Sequence, residues 1–363
     1  MSPGIDTLRS DLRRLCERVG RRVQIMEVCG THTVSIFRNG LRALLPENLR
    51  LISGPGCPVC VTAQRHIDAA LTIAARPEVV LATYGDMLRV PGRLGSLEGL
   101  KARGACVEVI QSARTAVQLA RNFPSRKVVF FAVGFETTAP ATAAAVLEAA
   151  RDNLANFTVL PCHKRVVPAM EMLLEAGDVL LDGFLCPGHV SVITGAQVYR
   201  PLVERFGKGC VVAGFEPAQI LLGLVRLLHQ IEARQPALEN VYAAAVRDAG
   251  NPVAQELLER VFVTRAATWR ALGEIPASGL ELAPAFERFD ALRRFDSTLG
   301  PDEDDPACRC GDVIRGLVQP DECALFAHRC TPSAPVGPCM VSSEGTCAAW
   351  YKYQRTARSP LGV

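Results

Sequence analysis

Short apolar runs rich in β-branched residues alternate with helical stretches through most of the chain, and this alternation limits the possible folds more than any other feature. The first five of these runs are predicted strands, at residues 23–28, 49–53, 78–84, 106–110 and 127–133. Strands that are separated by helices pair in parallel, because the helix returns the chain across the sheet. The sequence therefore predicts an α/β fold with parallel sheets, in which ligands bind beyond the carboxyl ends of the strands.

Two pairs of similar segments suggest that the α/β part contains two related units. Residues 127–142 resemble residues 209–220, since each segment has a strand that ends in Gly-Phe-Glu before a helix. Residues 53–62 resemble residues 185–194 in the same way. Glycine-rich turns between a strand and a helix look alike in many α/β proteins, so turn chemistry alone is an alternative explanation. We predict two related parallel-sheet units that face a cleft, at residues 1–122 and 123–250, followed by a helical linker and a small C-terminal domain at residues 251–363.

The composition excludes several classes of protein. The 363 residues include 40 Lys and Arg against 37 Asp and Glu, a net charge of +3, and no block of basic residues. This balance argues against nucleic-acid binding. The N-terminal segment has no apolar stretch of the kind found in signal peptides, and no run of about eighteen apolar residues could span a membrane. We therefore expect a cytoplasmic protein that binds neither nucleic acid nor membranes.

Six of the fourteen cysteines lie near the C-terminus, after an acidic, proline-containing linker at residues 299–307. Disulfides are rare in the cytosol, so metal ligation is the favoured interpretation of this cluster. Zinc sites commonly use paired C-x₂₋₄-C knuckles, whereas this segment has only one C-x-C. Wide, irregular spacing suits the thiolates of a [4Fe–4S] cluster better. Zinc binding and unliganded thiols remain as alternatives. The candidate thiols are Cys308, Cys310, Cys323, Cys330, Cys339 and Cys347.

Cys57 and Cys60 form a CxxC motif directly before a predicted helix. A helix N-terminus lowers a thiol pKa, and two thiols at this spacing can close a disulfide. The preceding Gly-Pro-Gly lets the backbone turn sharply and approach a ligand closely. One half of a zinc site is the alternative, but the chain has no second CxxC to complete it. Redox activity or metal ligation is therefore predicted for both thiols.

Cys29 and His32 lie in the motif Cys-Gly-Thr-His at the predicted end of the first strand. A thiol and an imidazole at this spacing could act as a nucleophile and its base. Equally, Cys29 could offer a soft thiolate to a transition metal, with His32 donating a proton or orienting the ligand. A core position is the simplest alternative for a cysteine at a strand end.

The turns of the two predicted units contribute further candidates. Glu136 and Glu216 follow Gly-Phe in matched turns, and Thr137 and Thr138 add hydroxyl groups. His189 follows Cys-Pro-Gly in the second unit. A single glutamate at a strand end is usually a solvated cap, but two in matched turns suggest a shared cleft. Neither turn has the Walker or GxGxxG pattern, so nucleotide binding is not expected.

Long motifs make the chain resemble the HypD family of hydrogenase formation proteins. They are CGTHT at 29–33, SGPGCPVCVT at 53–62, VGFETTAP at 133–140, CPGHVSVITG at 186–195, AGFEPAQIL at 213–221 and GPCMVSSEGTCAAWYKY at 337–353. The resemblance implies a scaffold for assembling the Fe(CN)₂CO moiety of [NiFe]-hydrogenases. It implies work with the small chaperone HypC, with HypE, which delivers cyanide made with HypF, and indirectly with the hydrogenase large subunit. It also implies a [4Fe–4S] cluster in the C-terminal domain.

The resemblance implies roles for individual residues as well. Cys29 corresponds to the family's iron-site cysteine, with His32 beside it, and Cys57 and Cys60 correspond to its CxxC pair. The cluster ligands correspond to Cys308 or Cys310, then Cys323, Cys330 and Cys347, while Cys339 lies outside the pattern and is interpreted as a bystander. The predicted function is a maturation scaffold with redox activity rather than a stand-alone enzyme. Alternatives are an iron–sulfur-linked thiol–disulfide reductase and a pure interaction scaffold.

Overall fold

The structure is a computed structural model that describes residues 4–354. Eleven strands in this part of the chain form two sheets, which we call sheet A and sheet B. The strands are β1 Val23–Glu27, β2 Leu49–Ser53, β3 Val79–Thr83, β4 Cys106–Val109, β5 Lys127–Gly134, β6 Phe157–Lys164, β7 Gly183–Pro187, β8 Gly209–Ala213, β9 Leu238–Asn240, β10 Phe262–Trp269 and β11 Gly273–Leu282.

Sheet A is fully parallel, with the strand order β2-β1-β7-β8-β9. In its centre, Ile25 of β1 pairs with Leu51 on one side and with Gly183 on the other. A side chain at Gly183 would meet the backbone oxygen of Gly209 at 2.9 Å, so this position requires glycine.

Sheet B has the order β10-β11-β6-β5-β3-β4, and its strands β6, β5, β3 and β4 are parallel. The hairpin of β10 and β11 adds two antiparallel strands at one edge, through pairing of β11 with β6. Apolar residues fill β3 and β5 almost without interruption. Such runs are expected for parallel strands that are covered on both faces.

Sixteen α-helices in the described residues connect and cover the strands. They are α1 Ile5–Val19, α2 Gly30–Arg38, α3 Pro58–Val61, α4 Gln64–Ala74, α5 Leu97–Ala102, α6 Ala113–Asn122, α7 Ala139–Arg151, α8 Val166–Ala176, α9 Gly188–Thr194, α10 Arg200–Phe206, α11 Pro217–Ala233, α12 Pro252–Val261, α13 Ala291–Arg294, α14 Cys310–Arg315, α15 Pro338–Val341 and α16 Thr346–Tyr353. Helix α1 buries Leu8, Leu12 and Leu15, as expected from their helical spacing, in the apolar layer that covers one face of sheet A. No helix among the described residues is long and apolar enough to cross a membrane.

The α/β fold class is confirmed, but strand pairing crosses the predicted boundary at residue 122. Strands β3 and β4 precede this boundary and pair into sheet B with β5 and β6, which follow it. Strands β1 and β2 instead join β7, β8 and β9 in sheet A. The two sheets therefore do not coincide with the ranges 1–122 and 123–250, because the chain leaves sheet A after β2 and returns at β7.

The region after residue 250 also differs in detail from the prediction. This region begins with helix α12, and residues 262–282 form the β10–β11 hairpin, which was not predicted from the sequence. The acidic linker that follows is held by basic residues of the α/β part. Asp304 pairs with the buried guanidinium of Arg270 at 2.7 Å, and Glu303 pairs with Arg93 at 2.8 Å. These contacts fix the entry to the C-terminal region.

The C-terminal region packs against sheet A through α2 and α16. The guanidinium of Arg42 lies 4.7 Å from the ring centroid of Phe37 and 5.1 Å from that of Trp350. This cation–π arrangement joins the first α/β segment to α16. Helix α16 of the cysteine-rich region is thereby held beside α2, which begins directly after Cys29.

Candidate functional site

A cleft of about 640 Å³ lies where the carboxyl ends of strands from both sheets meet the C-terminal region. Sheet A contributes the turns after β1 and β7, and sheet B contributes the turns after β3 and β5. Its lining includes Cys29, Asp86, Thr137, Thr138, His189 and Glu344. Parallel sheets place their binding loops at this edge, and the cleft thus lies where the strand order predicts a ligand site.

Cys29 follows β1 and is the N-cap residue of α2. Its backbone N–H donates to Oε2 of Glu27 at 3.3 Å, and the residue is 7% exposed. Burial, and then the negative charge of Glu344, raise the pKa of the Cys29 thiol to about 12. The free thiol is therefore protonated at neutral pH, and binding of a metal at this sulfur would release a proton.

Glu27 lies directly below Cys29 and was not identified from the sequence. It accepts hydrogen bonds from the Cys29 N–H and from the hydroxyl of Thr33. Burial raises the pKa of the Glu27 carboxyl to about 7. Its oxygens hold the backbone on which Cys29 and α2 begin, and Ser53 of β2 adds a further side-chain hydrogen bond.

His32 is fully buried and faces the turn after β8 rather than the Cys29 thiol. Its Nε2 lies 3.0 Å from the Gly214 carbonyl oxygen, and its ring packs on Phe215 with centroids 4.8 Å apart. A carbonyl only accepts, so Nε2 carries the hydrogen. Burial lowers the pKa of His32 to about 4, and the ring is neutral at pH 7. Its Nδ1 has no hydrogen-bond partner among the described residues.

His189 lies at the start of α9 and is exposed to the cleft. Its ring centroid is 3.9 Å from that of Phe215, on which His32 also packs. Burial lowers the pKa of His189, while the charge of Glu344 opposes this shift. The structure therefore brings His189 and Cys29 to one cleft, with Phe215 connecting the two histidines.

The CxxC loop is adjacent to the Cys29 loop. The N–H of Gly30 donates to the Gly56 carbonyl at 3.0 Å. A Cβ atom at Gly56 would lie 2.3 Å from the Cys29 nitrogen, so only glycine allows this approach. Cys57 caps α3, where its Sγ accepts the N–H of Cys60 at 3.3 Å. Burial raises the pKa of Cys60 well above its usual value.

The six C-terminal thiols line one small cavity. Cys323, Cys330, Cys308 and Cys347 pack around Leu325 and Met340. Burial raises the pKa of Cys347, and the charges of Cys308, Cys330 and Cys323 add to this shift, which indicates that these four sulfurs lie close together. No set of three or more Cys, His, Asp or Glu side chains in residues 4–354 is arranged around a single metal ion. A four-iron cluster is larger, because each thiolate binds a different iron, and the four sulfurs with their apolar surroundings fit such a group.

Cys310 and Cys339 lie beside these four thiols, and Cys310 forms a side-chain hydrogen bond with Cys308. The Sγ atoms of Cys310 and Cys339 lie 2.7 Å apart, and both side chains belong to the main apolar core. Cys339 also forms a side-chain hydrogen bond with Cys60. The structure thus connects the C-terminal thiols to the CxxC motif, and Cys339 lies at the point of contact.

The two Gly-Phe-Glu turns differ. Glu136 is buried, its Oε1 accepts the N–H of Val166 at 3.0 Å, and its Oε2 has no partner among the described residues. Burial raises the pKa of Glu136 to about 7. Glu216 is exposed and forms a capping box with Gln219 at the start of α11. Glu136 is not part of the cleft lining, but its neighbours Thr137 and Thr138 are.

Three cleft residues were not predicted from the sequence: Asp86, Ser342 and Glu344. Glu344 Oε1 accepts the hydroxyl of Thr31 at 2.7 Å, and Ser342 Oγ accepts the Cys57 thiol at 3.3 Å. The available signal was the polar run Ser-Ser-Glu between two helical segments of an otherwise apolar sequence. Only the folded chain shows that this run enters the cleft.

Comparison with known proteins identifies the family. The family model "HypD: Hydrogenase formation hypA family" matches residues 4–354. The chain is 46% identical to Hydrogenase maturation factor HypD of Escherichia coli (strain K12) over 352 residues, which cover 97% of this chain and 94% of that protein. It is 44% identical to Hydrogenase maturation factor HypD of Cupriavidus necator, covering 95% and 93%. It is 45% identical to the hydrogenase expression/formation protein HupD of Azotobacter chroococcum, covering 94% and 92%. The chain therefore belongs to the HypD family.

Proposed function

We propose that this hydrogenase maturation factor is the scaffold on which the Fe(CN)₂CO moiety of a [NiFe]-hydrogenase is assembled. A HypC-type chaperone would share the iron, and a HypE-type protein supplied by HypF would deliver cyanide. The hydrogenase large subunit would be the final recipient. The observation that carries the proposal is the Cys29 thiol at a cleft to which both sheets and the C-terminal region contribute.

Iron, as the cargo, binds to Cys29 in this proposal. An Fe(II) ion with cyanide and carbonyl ligands favours soft donors such as thiolate. The free Cys29 thiol is neutral at pH 7. When iron binds, loss of this proton would leave a thiolate whose negative charge offsets the positive charge of the iron in the buried site.

Hydrogen-bond donors around the cleft can hold the cyanide nitrogens. The hydroxyl groups of Thr137 and Thr138 and the ring of His189 line the same cavity as Cys29. His32 is not available as a donor, because its N–H is directed to the Gly214 carbonyl. We assign His32 the role of fixing the turn after β8 against α2.

A [4Fe–4S] cluster bound by Cys308, Cys323, Cys330 and Cys347 would supply electrons one at a time. The grouping of these four sulfurs around Leu325 and Met340 supports this ligand set. Cys310 and Cys339 then connect this region with Cys60. Oxidation of Cys57 and Cys60 to a disulfide releases two electrons and two protons, and the intervening sulfur contacts favour electron transfer between the two regions.

The same sulfur contacts favour a second candidate function, an iron–sulfur-linked thiol–disulfide reductase. In that protein Cys57 and Cys60 would be the reacting pair and no iron would bind at Cys29. The position of Cys29 in the cleft, next to the CxxC loop, favours iron assembly instead.

Infrared spectroscopy of the chain copurified with its HypC-type chaperone tests the proposal. The wild-type complex should show cyanide and carbonyl bands, and Cys29→Ser should lose them while it keeps the fold and the C-terminal iron. Cys16→Ser, at a buried cysteine of α1 remote from the cleft, is the control and should retain the bands. Bands that persist in Cys29→Ser would show that the iron is anchored elsewhere.

A further inference from the structure

Asp86 anchors the C-terminal region at the cleft edge. It lies in a 3₁₀ turn after β3, between the cleft and a neighbouring groove of about 820 Å³. Its Oδ2 accepts three hydrogen bonds: from Ser342 Oγ at 3.0 Å, from the Ser343 N–H at 2.9 Å and from Ser343 Oγ at 3.0 Å. Asp86 forms no salt bridge within residues 4–354, so these donors carry the stabilisation of its charge.

The anchored segment reaches both thiol motifs. Ser342 Oγ accepts the Cys57 thiol at 3.3 Å, and Glu344 Oε1 accepts the Thr31 hydroxyl at 2.7 Å, two residues beyond Cys29. The segment packs tightly at this point, since a Cβ atom on Gly30 would lie 2.4 Å from Cβ of Glu344. Residues 342–345 link α15 to α16 without forming a helix themselves. Their position in the cleft therefore depends on side-chain contacts.

The same segment is flanked by C-terminal thiols. Cys339, which contacts Cys310 and Cys60, lies in α15 before it, and Cys347 lies in α16 after it. A shift of residues 342–345 would thus change the contact between the C-terminal thiols and the CxxC motif. It would also move Glu344 away from the loop of Cys29.

We propose that Asp86 is a positioning residue for the proposed maturation site. Asp86 holds Ser342 against Cys57 and Glu344 against Thr31, and it thereby closes the wall of the cleft around both thiols. The inference rests on the roles proposed above for Cys29 and Cys57. It adds that their shielding depends on a carboxylate that touches neither of them.

Site-resolved alkylation of the purified full-length chain tests this inference, since the other cysteines act as internal reporters. In Asp86→Ala, N-ethylmaleimide should modify Cys29 and Cys57 about tenfold faster than in the wild type. Without Asp86, residues 342–345 can move away from the two thiols without first having to break its hydrogen bonds. Rates at Cys16 and Cys186, which are buried in other parts of the core, should not change. A general loss of stability would instead accelerate all four.

Three further variants sharpen the test. Ser343→Ala removes one hydroxyl but leaves Asp86 with its Ser342 and backbone donors, so its rates should stay near those of the wild type. Asp86→Asn keeps an acceptor oxygen and should restore slow alkylation. Ser342→Ala should accelerate Cys57 more than Cys29, because the Glu344–Thr31 contact remains.

Unchanged rates at Cys29 and Cys57 in Asp86→Ala, or equal acceleration at Cys16 and Cys186, would overturn the inference. The readout is independent of the infrared bands. Bands that persist in Cys29→Ser would refute iron binding at Cys29, whereas an unaltered alkylation pattern in Asp86→Ala would refute only the role of Asp86.

Discussion

The Sγ atoms of Cys310 and Cys339 lie 2.7 Å apart, and Cys339 in turn contacts Cys60 of the CxxC motif. Cys310 also forms a side-chain hydrogen bond with Cys308, one of the four thiols that surround Leu325 and Met340. These contacts show that Cys339, interpreted from the sequence as a bystander, occupies the junction between the two cysteine-rich parts of the chain.

The first cluster ligand is expected to be Cys308. Cys308→Ala should lose the cluster, whereas Cys310→Ala should retain it, since Cys308 packs with the other three thiols around Leu325 and Met340 while the Cys310 sulfur contacts Cys339 as well as Cys308. Iron content and visible absorbance of the purified variants check this expectation. If Cys308→Ala and Cys310→Ala both retain the cluster, the fourth ligand is another thiol, with Cys339 the next candidate.

Cys330→Ala should lower both iron content and the stability of the C-terminal region. Apart from the residues that join the main core, this region has only small apolar clusters, and metal binding commonly supplies the missing free energy in such domains. Limited proteolysis after residue 299, together with iron analysis, measures both effects. Cys106→Ala, at the edge of sheet B, is a control that should behave like the wild type.

Cys57 and Cys60 should form a disulfide under oxidising conditions. The Cys60 N–H already donates to Cys57 Sγ at 3.3 Å, so the two thiols are neighbours at the start of α3. Differential alkylation and mass spectrometry in glutathione buffers of defined potential can detect the bond. Detection of both thiols in the free form at every potential would contradict the redox role. A bond between Cys60 and Cys339 in its place would shift that role to a different pair.

Glu136→Gln should raise the free energy of unfolding above that of the wild type, and it should do so more at high pH than at low pH. In the folded state the pKa of Glu136 is raised from its usual value of 4.5 to about 7. The contribution of this protonated carboxyl to the free energy of unfolding is therefore fully present below pH 4.5 and is lost as the pH rises through 7. Between pH 5 and pH 8 the difference in unfolding free energy between variant and wild type should grow by up to ~3 kcal/mol. Urea unfolding at the two pH values measures it. Glu216→Gln, in the exposed matched turn, is the control variant.

The strand order is the main feature that could not be read from the chain. Alternation of apolar and helical stretches predicted β1 to β5 individually, because this pattern is local. Assignment of β1 and β2 to the sheet of β7 depends on contacts between residues more than 100 positions apart, as between Ile25 and Gly183. The β10–β11 hairpin was missed for a related reason. Its middle residues are exposed, so it lacks the apolar run that marks the buried strands.

The motifs located most of the candidate site, and the fold supplied the remainder. Cys29, His189 and Thr137 were recognised from short segments at strand ends, and the structure brings all three to one cleft. Three carboxylates of the site were not recognised from short segments: Glu27, Asp86 and Glu344. Their local sequence does not distinguish a buried or bridging carboxylate from a solvated one. Similarity between turns was misleading at Glu136 and Glu216, which differ completely in burial.

The sequence by itself therefore determined the fold class and the presence of two distinct thiol motifs near the N-terminus, one with Cys29 and one with Cys57 and Cys60. It also determined that six thiols cluster near the C-terminus. These properties follow from side-chain periodicity and from the spacing of cysteines within short segments. Only the tertiary structure decided which sheet each strand joins, which thiols contact each other, and that Asp86 and Glu344 close the cleft. Those outcomes depend on burial and on hydrogen bonds between residues far apart in the chain, such as Thr31 and Glu344, and no local pattern records them.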